Sequence, residues 1–237
     1  MPSERETMRI AIIPARGGSK RIPKKNIMPF CGKPMIWYSI RAAKESGLFQ
    51  KIHVSTDSEE IRETVESIGL PVDFMRDPAL ADDFTGLVPV LKWVVDEYRR
   101  RGEVYDDVCC IFSVAPLLQS KDLVDAFDLF HRHEERYPLL VMTRYPVPIE
   151  WAFRRDREGI MTAVSPARLG ERSQDLPEAY YESGPFTIWS SAHLSSADPV
   201  SGRIISYVMP GDKVVDIDTP EDLARAELLF RLLEKGR

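Results

Sequence analysis

The regular alternation of short apolar runs with amphipathic stretches is the feature that most limits the folds open to this chain. Apolar runs at 8–14, 51–57 and 107–114 predict buried strands. Segments with helical spacing follow these runs, the first of them from Lys33 to Gly47. Strands that alternate with helices favour right-handed β-α-β units. The sequence therefore predicts an α/β fold of three layers, with a Rossmann-like, mostly parallel sheet flanked by helices.

Further segments continue the alternation towards the C-terminus. Strands are expected at four more places, 72–75, 139–145, 203–210 and 213–218. One helix face is marked by Leu87, Leu91, Val94 and Tyr98. Ser58 is placed to cap the second helix, and the terminal helix is expected to start at Pro220, with Thr219 as its cap and Asp222 completing a capping box.

Residues 146–202 interrupt this alternation. Prolines and aromatic residues are scattered through them, and they include the polar run SSAHLSSADPVSG. A length of 237 residues favours one large domain. We interpret 1–237 as a single domain and 146–202 as an inserted lobe suited to packing on another subunit.

Composition and cysteine content indicate a globular protein of a reducing compartment. The chain is 43% hydrophobic and 29% charged, which is ordinary for a soluble globular protein. It shows neither the pattern of a signal peptide nor the run of about 18 apolar residues that a membrane span needs. Its three cysteines are odd in number, and two of them are adjacent within an apolar run, which argues against a disulfide framework. A cytoplasmic location is expected.

The stretch PARGGSKRIPKKN, residues 14–26, concentrates positive charge in a chain of formal net charge −5. No acidic residue lies between Glu6 and Glu45. The stretch follows the first predicted strand, at the sheet edge where ligands of parallel sheets bind. Adjacent Gly17 and Gly18 allow a close backbone approach, and the cations that follow can neutralise phosphate. A phosphate-binding loop is favoured over a nucleic-acid patch, although a merely solvated basic loop is the simpler alternative.

Two carboxylates, Asp216 and Asp218, stand two residues apart near the end of the chain. In an extended segment they would project to the same side, about 6.6 Å apart, while Ile217 packs inward. Magnesium suits a carboxylate pair that leaves room for phosphate oxygens. The alternative is that Asp218 only precedes a capped helix and Asp216 is solvated. In the stretch FMRDPALADDFTG, Arg76 and Thr85 could close over a nucleotide, or the stretch could simply connect two elements.

Four sequence blocks have the order and spacing of a known family. They are PARGGSKRIPKKN at 14–26, VSTD at 54–57, LADD at 80–83 and DIDTPEDL at 216–223. Together they resemble the cytidylyltransferases that activate eight-carbon and nine-carbon 2-keto sugar acids, whose fold is that of the nucleotide-diphospho-sugar transferases. The similarity extends from Met8 to nearly the end of the chain, and the first and last blocks are the specific ones.

The resemblance implies an enzyme that converts CTP and a ulosonic acid to a CMP-linked sugar and pyrophosphate, with Mg²⁺ as cofactor and a homodimer as the assembly. It implies a CTP site formed by Ala15, Arg16, Gly17, Gly18, Ser19, Lys20, Arg21, Lys25, Asn26, Arg76 and Thr85. Asp216 and Asp218 match the metal-binding pair, and Lys20 and Lys25 are expected to act with them in catalysis. No nucleic acid or membrane partner is implied.

Two segments resemble the branch specific for pseudaminic acid. They are SQDLPEAYYESGPF, residues 173–186, and the strand ending CCIFSVAPLL, residues 109–118. Sialic acid synthetases typically carry Gln-Pro-Thr-Ser-Pro where this chain has residues 112–116. The chain departs from the pseudaminic branch at 181–184, which read Tyr-Glu-Ser-Gly. The residues expected to bind the sugar are Phe112, Arg172, Gln174, Tyr181 and Glu182, of which Arg172 and Gln174 are the candidates for its carboxylate.

Other functions stay open from the sequence. The sugar could be sialic, legionaminic or 3-deoxy-manno-octulosonic acid rather than pseudaminic acid. Another nucleotide or a sugar 1-phosphate would make the protein a different nucleotidyltransferase. A non-catalytic nucleotide-binding homologue is the alternative from outside the enzymes, and the acidic pair with Lys20 and Lys25 argues against it.

Overall fold

A six-stranded mixed sheet forms the centre of the protein in a computed structural model that describes residues 7–18, 21–82, 84–196, 199 and 202–235. The strands, in chain order, are β1 (Arg9–Pro14), β2 (Pro29–Phe30), β3 (Lys33–Pro34), β4 (Lys51–Ser55), β5 (Asp107–Ile111), β6 (Leu139–Arg144), β7 (Phe153–Arg155), β8 (Met161–Ala163), β9 (Tyr180–Ser190) and β10 (Ile205–Val208). The helices are α1 (Met35–Ser46), α2 (Glu59–Ser67), α3 (Leu87–Arg100), α4 (Ser120–Arg132), α5 (Ser191–Leu194) and α6 (Pro220–Lys235).

The order of strands in the sheet is β10, β6, β9, β5, β1, β4. β1 pairs in parallel with both β4 and β5, and β10 pairs in parallel with β6. β9 runs antiparallel between β5 and β6. The predicted Rossmann-like, mostly parallel sheet is therefore confirmed, with one antiparallel strand at its centre that the sequence did not predict.

Helices cover both faces of the sheet, as predicted. β5 is buried along its whole length: Cys109 and Ile111 face the core under α1, α2 and α4, while Val108 and Cys110 face the core under α3 and α5. Residues of a strand alternate between its two faces, so burial on both sides explains the nearly continuous apolar run.

A third cluster of buried side chains joins the two ends of the chain. Phe30, Met35 and Tyr38 pack with Ile217 and Ala226, and each of these five side chains is at most 1% exposed. Phe30 and Tyr38 also meet edge to face, with ring centroids 5.2 Å apart. This cluster holds the segment before α6 against the region that follows the basic loop.

The predicted caps of α2 and α6 are present. The Ser58 side chain accepts a hydrogen bond from the Ile61 N–H. At α6 the Thr219 hydroxyl accepts from the Asp222 N–H at 3.2 Å, and the Asp222 carboxylate accepts from the Thr219 N–H at 2.9 Å. This reciprocal capping box fixes the start of the terminal helix.

Two predicted strands, 72–75 and 213–218, do not form among these described residues. The first segment runs beside β4, where Phe74 stacks on His53 with ring centroids 4.4 Å apart. It makes no ladder, because the backbone bond from this region to the segment after β4 is that of the Arg76 N–H to the Thr56 carbonyl. The second begins with a short 3₁₀ turn at Gly211–Lys213 and ends at the capping box of α6. Apolar runs of this length thus pack into the core without pairing.

The segment 146–202 divides into two parts. Residues 180–190 belong to the central sheet as β9, so the part that lies outside the sheet is 146–179, with the antiparallel hairpin of β7 and β8 at its centre. The predicted lobe therefore extends too far towards the C-terminus. None of the helices in the described part of the chain combines the length and apolar character that crossing a lipid bilayer requires.

Candidate active site

A cleft of about 1180 Å³ opens at the carboxyl ends of β1 and β5. It is lined by the loop after β1, by residues 112–118 after β5, by the beginning of β9 and by the segment 211–216 with α6. Because β9 is antiparallel, its first residues reach the same edge as the last residues of β1 and β5. Ten of the predicted site residues line the cleft, namely Arg16, Arg21, Lys25, Asn26, Arg76, Thr85, Phe112, Tyr181, Glu182 and Asp216.

The loop after β1 is held by polar contacts with its surroundings. The Gly17 N–H donates to Asp57 Oδ1 at 3.0 Å, and Asn26 Nδ2 donates to the Arg16 carbonyl at 2.8 Å. A Cβ at Gly17 would meet Ser58 Cβ at 3.0 Å, so a larger residue here would require the start of α2 to shift. The predicted approach of a ligand to this backbone stays a prediction.

Four other predicted residues of this loop do not line the cleft or cannot be placed. Ala15 is buried in the core, where its N–H donates to the Ser55 carbonyl at 2.9 Å, and Gly18 is exposed outside the cleft. Ser19 and Lys20 lie outside the described residues.

The segment 77–86 contacts the basic loop at the mouth of the cleft. Arg16 Nη1 donates to the Asp82 carbonyl at 3.0 Å. The Asp82 carboxylate accepts from the Phe84 and Thr85 N–H groups at 2.9 Å and 2.6 Å. These bonds, with that of the Thr85 hydroxyl as the largest effect, lower the pKa of Asp82. Asp82 thus shapes the turn that brings Thr85 into the cleft.

Arg76 supplies a buried positive charge on the same side of the cleft. Its Nε donates to Ser55 Oγ at 3.0 Å and its Nη2 to the Ser55 carbonyl at 2.5 Å, and the residue is only 5% exposed. Burial lowers the pKa of Arg76, but an arginine starts so high that it stays protonated. Fixed at the end of β4, this guanidinium can bind an anion without reorganising.

The basic loop and the acidic pair meet at the cleft, although almost two hundred residues separate them in sequence. Lys25 Nζ donates to Asp218 Oδ1 at 3.0 Å and to the Ile217 carbonyl at 2.8 Å. Arg21 also donates to the Asp218 carboxylate. Ile217 is 1% exposed, whereas Asp216 is exposed and lines the cleft. Of the predicted alternation, the inward Ile217 and the outward Asp216 are present although 214–218 form no ladder. The Asp218 carboxylate is only 20% exposed.

Two contacts at the cleft were missed by reading the sequence. Ser113 Oγ donates to Asn26 Oδ1 at 2.8 Å. Lys213 Nζ donates to both carboxylate oxygens of Asp122, at 2.7 and 3.0 Å, and so ties the segment before the acidic pair to the start of α4. Ser113 and Lys213 are single polar residues, and their only signal in the sequence is that each follows a strand.

Arg172 and Gln174 are placed away from the cleft of their own chain. Both are exposed in the lobe, at a 3₁₀ turn spanning Ser173–Asp175, where Arg172 Nε donates to Asp175 Oδ2 at 2.7 Å. The structure therefore does not bring these predicted sugar ligands together with Tyr181 and Glu182.

A separate cluster of ionisable groups lies at the other end of β5. Asp107 is fully buried, and its Oδ2 lies 2.9 Å from His131 Nε2. Glu135 Oε1 lies 3.5 Å from the same nitrogen. Burial raises the pKa of Asp107. The Arg9 guanidinium, whose Nε is 3.5 Å away, offsets the buried charge. We interpret this cluster as a structural ion-pair network, remote from the cleft.

Comparison with known proteins identifies the family of the chain. A family model described as cytidylyltransferase matches residues 10–178. The chain is 37% identical over 224 residues to the pseudaminic acid cytidylyltransferase of Campylobacter jejuni subsp. jejuni serotype O:2, covering 94% of this chain and 96% of that protein. It is 33% identical over 226 residues to the N-acylneuraminate cytidylyltransferase of Streptococcus agalactiae serotype V, covering 90% of this chain but 51% of that longer protein.

Solved structures show the same fold at low sequence identity. A CMP:2-keto-3-deoxy-manno-octonic acid synthetase solved with CTP superposes with a TM-score of 0.73 at 15% identity, covering 96% of this chain and 100% of the other. A 4-diphosphocytidyl-2C-methyl-D-erythritol synthase superposes with a TM-score of 0.66 at 12% identity, covering 95% and 99%. Because the family model matches residues 10–178 and the 37% identity extends over nearly the full length of a relative, the chain belongs to the cytidylyltransferase family.

Proposed function

We propose that this protein transfers the cytidylyl group of CTP to a nine-carbon 2-keto sugar acid, with pseudaminic acid as the substrate, releasing pyrophosphate. The meeting of the basic loop with the acidic pair in one cleft supports the nucleotidyl transfer. The 37% identity to a pseudaminic acid cytidylyltransferase over nearly the whole of both chains supports the choice of sugar.

In the proposed reaction the anomeric hydroxyl oxygen forms a bond to the α-phosphorus of CTP. The bond from that phosphorus to the oxygen bridging the α- and β-phosphates breaks, pyrophosphate leaves with the bonding electrons, and the hydroxyl proton passes to solvent water. Reactions of this kind depend on alignment and on neutralising charge. The cleft provides both, since Arg16, Arg76 and Lys25 are fixed there by hydrogen bonds.

The end of the cleft near β1 and β4 is the proposed nucleotide site. Arg16, Asn26, Arg76 and Thr85 line this end and would contact the cytidine. Lys25 and Arg21 lie beside the acidic pair, where they would offset the charge of the triphosphate and of the leaving pyrophosphate. Ser19 and Lys20 keep their predicted role at the triphosphate.

Asp216 and Asp218 fit the requirements of a magnesium site. Asp216 is exposed and lines the cleft, and Asp218 is partly exposed and paired with Lys25. The buried Ile217 anchors the backbone between them, and hard carboxylate oxygens are the ligands that Mg²⁺ prefers. Bound there, the ion would neutralise charge on the phosphate oxygens. Lys25 and Arg21 share the Asp218 carboxylate, so they hold its position at the cleft rim.

The lobe supports a homodimer. Its large apolar side chains are unusually exposed, which on a monomer marks an interaction surface. The exposed set comprises Val147, Ile149, Trp151, Phe153, Ile160, Met161, Val164 and Leu169. We propose that this surface, at 147–169, packs against a second copy. The three cysteines are free, which agrees with the proposed location in a reducing cytoplasm.

The test is to incubate the protein with CTP and magnesium and with pseudaminic, legionaminic, N-acetylneuraminic or 3-deoxy-manno-octulosonic acid, and to measure pyrophosphate release. We expect the highest kcat/KM with pseudaminic acid. Faster turnover of another acid would reassign the sugar but keep the reaction. Absence of release with all four would favour a non-catalytic homologue.

A further inference from the structure

We propose that Arg225 binds the carboxylate of the sugar acid and so orients its anomeric hydroxyl towards the nucleotide. This inference rests on the proposed function. It replaces Arg172 and Gln174, which lie outside the cleft.

Six cations line the cleft among the residues that the structure describes, and four of them already have a place in the proposed reaction. Arg16 and Arg76 lie at the proposed nucleotide end, and Lys25 and Arg21 lie at Asp218, where the triphosphate is expected. The remaining two are Lys213 and Arg225. The sugar acid needs a cationic partner of its own, because its carboxylate must be desolvated beside a polyanion.

Lys213 is already engaged. Its Nζ donates to both oxygens of Asp122, and its side chain is only 17% exposed. Drawing this lysine towards a substrate would leave the nearly buried Asp122 carboxylate unpaired, which is costly.

Arg225 has its donors available. It is exposed and lines the cleft, and within the described parts of the chain it makes no hydrogen bond or ion pair. Its planar guanidinium can donate two parallel hydrogen bonds to one carboxylate.

The position of Arg225 relative to the acidic pair is fixed. Asp222, one turn earlier on the same face of α6, accepts from the N–H groups of Asp218 and Thr219 at 3.1 and 2.9 Å. Ala226, the next residue, is fully buried in the third cluster. In a 2-keto sugar acid the carboxylate carbon is bonded to the anomeric carbon itself. A carboxylate held by Arg225 therefore places the attacking oxygen close to the acidic pair.

The experiment compares Arg225→Gln, Arg225→Lys, Arg172→Gln and Arg231→Gln with the wild type, using whichever of the four acids the wild type turns over best. Loss of a charge-assisted bidentate contact should raise the KM for the sugar acid about tenfold to a hundredfold in Arg225→Gln. The KM for CTP should stay unchanged, and Arg225→Lys should recover part of the loss. Arg231→Gln, on the same helix but paired with Glu227 outside the cleft, is the matched control.

A second measurement separates binding of the carboxylate from a structural effect. With the methyl ester of the same acid, the wild type and Arg225→Gln should react equally, because the ester lacks the charge that Arg225 is proposed to bind. Arg225→Gln should also keep the rise in melting temperature that CTP gives the wild type.

Three results would overturn the inference. They are an unchanged KM for the acid in Arg225→Gln, an equal rise in the KM for CTP, and a large rise in the KM for the acid in Arg172→Gln alone. If the wild type turns over none of the four acids, the proposed function fails and this inference fails with it. Normal turnover with an unaffected Arg225→Gln variant contradicts this inference only.

Discussion

Lys25 Nζ lies 3.0 Å from Asp218 Oδ1, and the same nitrogen donates to the Ile217 carbonyl at 2.8 Å. One side chain therefore joins the basic loop near the N-terminus to the acidic segment before the last helix. Both side chains are mostly shielded, at 17% and 20% exposed, so the pair is a structural bond as well as part of the cleft.

Replacing Asp218 by alanine should remove activity and leave the fold intact. We expect pyrophosphate release to fall about a hundredfold or more, because a carboxylate that holds the metal and orients Lys25 is lost. Asp212→Ala, at an exposed carboxylate of the same segment, should retain activity. Circular dichroism and steady-state rates measure the two effects, and near-normal turnover of Asp218→Ala would remove this residue from the reaction.

Replacing Arg76 should weaken CTP binding specifically. In Arg76→Gln the buried positive charge is absent, and we expect the KM for CTP to rise about tenfold or more while the KM for the sugar acid changes little. Arg99→Gln, on the exposed face of α3, is the control because Arg99 pairs with Asp96 away from the cleft. A thermal-shift titration with CTP gives the same comparison without turnover. Equal CTP affinity in Arg76→Gln and wild type would mean that the nucleotide does not bind at the end of the cleft near Arg76.

Acid should destabilise the protein through His53. This residue is 1% exposed, its Nδ1 lies 3.1 Å from the Tyr98 hydroxyl, and burial lowers its pKa to about 3. In the unfolded chain the pKa of a histidine is about 6.5. The unfolded state therefore binds a proton that the folded state excludes, and stability is lost as pH falls from about 6.5 towards 3. Between pH 7 and pH 5 this amounts to about 2 kcal/mol of the free energy of unfolding.

The variant His53→Gln tests this assignment. Urea unfolding at several pH values should give a shallower dependence of the free energy of unfolding on pH between 7 and 5 than in the wild type, whatever the variant's absolute stability. His133→Gln, at an exposed histidine, should keep the wild-type slope. An unchanged slope in His53→Gln would assign the acid sensitivity to other groups.

A charge on the lobe should dissociate the proposed dimer. Phe153 is 46% exposed in β7, and Phe153→Asp would bury a carboxylate in the interface. We expect sedimentation velocity to show a dimer for the wild type and a monomer for this variant. Leu228→Asp, at an apolar residue that is 61% exposed on α6 outside the lobe, should leave the sedimentation coefficient unchanged. A wild type that sediments as a monomer at micromolar concentration would contradict the proposed assembly.

The sequence was most informative where one physical requirement controls many successive residues. Burial on both faces makes 108–111 continuously apolar, and the capping box at Thr219 and Asp222 follows from two residues at fixed spacing. β9 was missed because Gly184 and Pro185 lie inside it, and proline is rare in a central strand. The structure accommodates them with an irregularity, since the pairing of β9 with β6 shifts between Leu140 and Met142.

The same reasoning explains which residues of the cleft the sequence predicted and which it did not. Arg16, Lys25, Asn26 and Asp216 belong to dense or closely spaced motifs, and all four line the cleft. Ser113, Lys213 and Arg225 are isolated polar residues in unremarkable surroundings. What brings them there is the tertiary packing of segments distant in sequence, which no local pattern encodes.

The position of β9 between β5 and β6 determines the order in which the sheet can be assembled during synthesis. β1, β4 and β5 are complete once residue 111 has been made, but both neighbours of β6 come later in the chain. An apolar strand therefore leaves the ribosome with no ladder to join until residues 180–190 follow it. A chain stopped at residue 178, where the match to the family model ends, would lack the strand that connects the two halves of the sheet. Such a fragment would leave one edge of β5 unpaired and β6 without any partner, and unpaired strand edges of this kind favour aggregation.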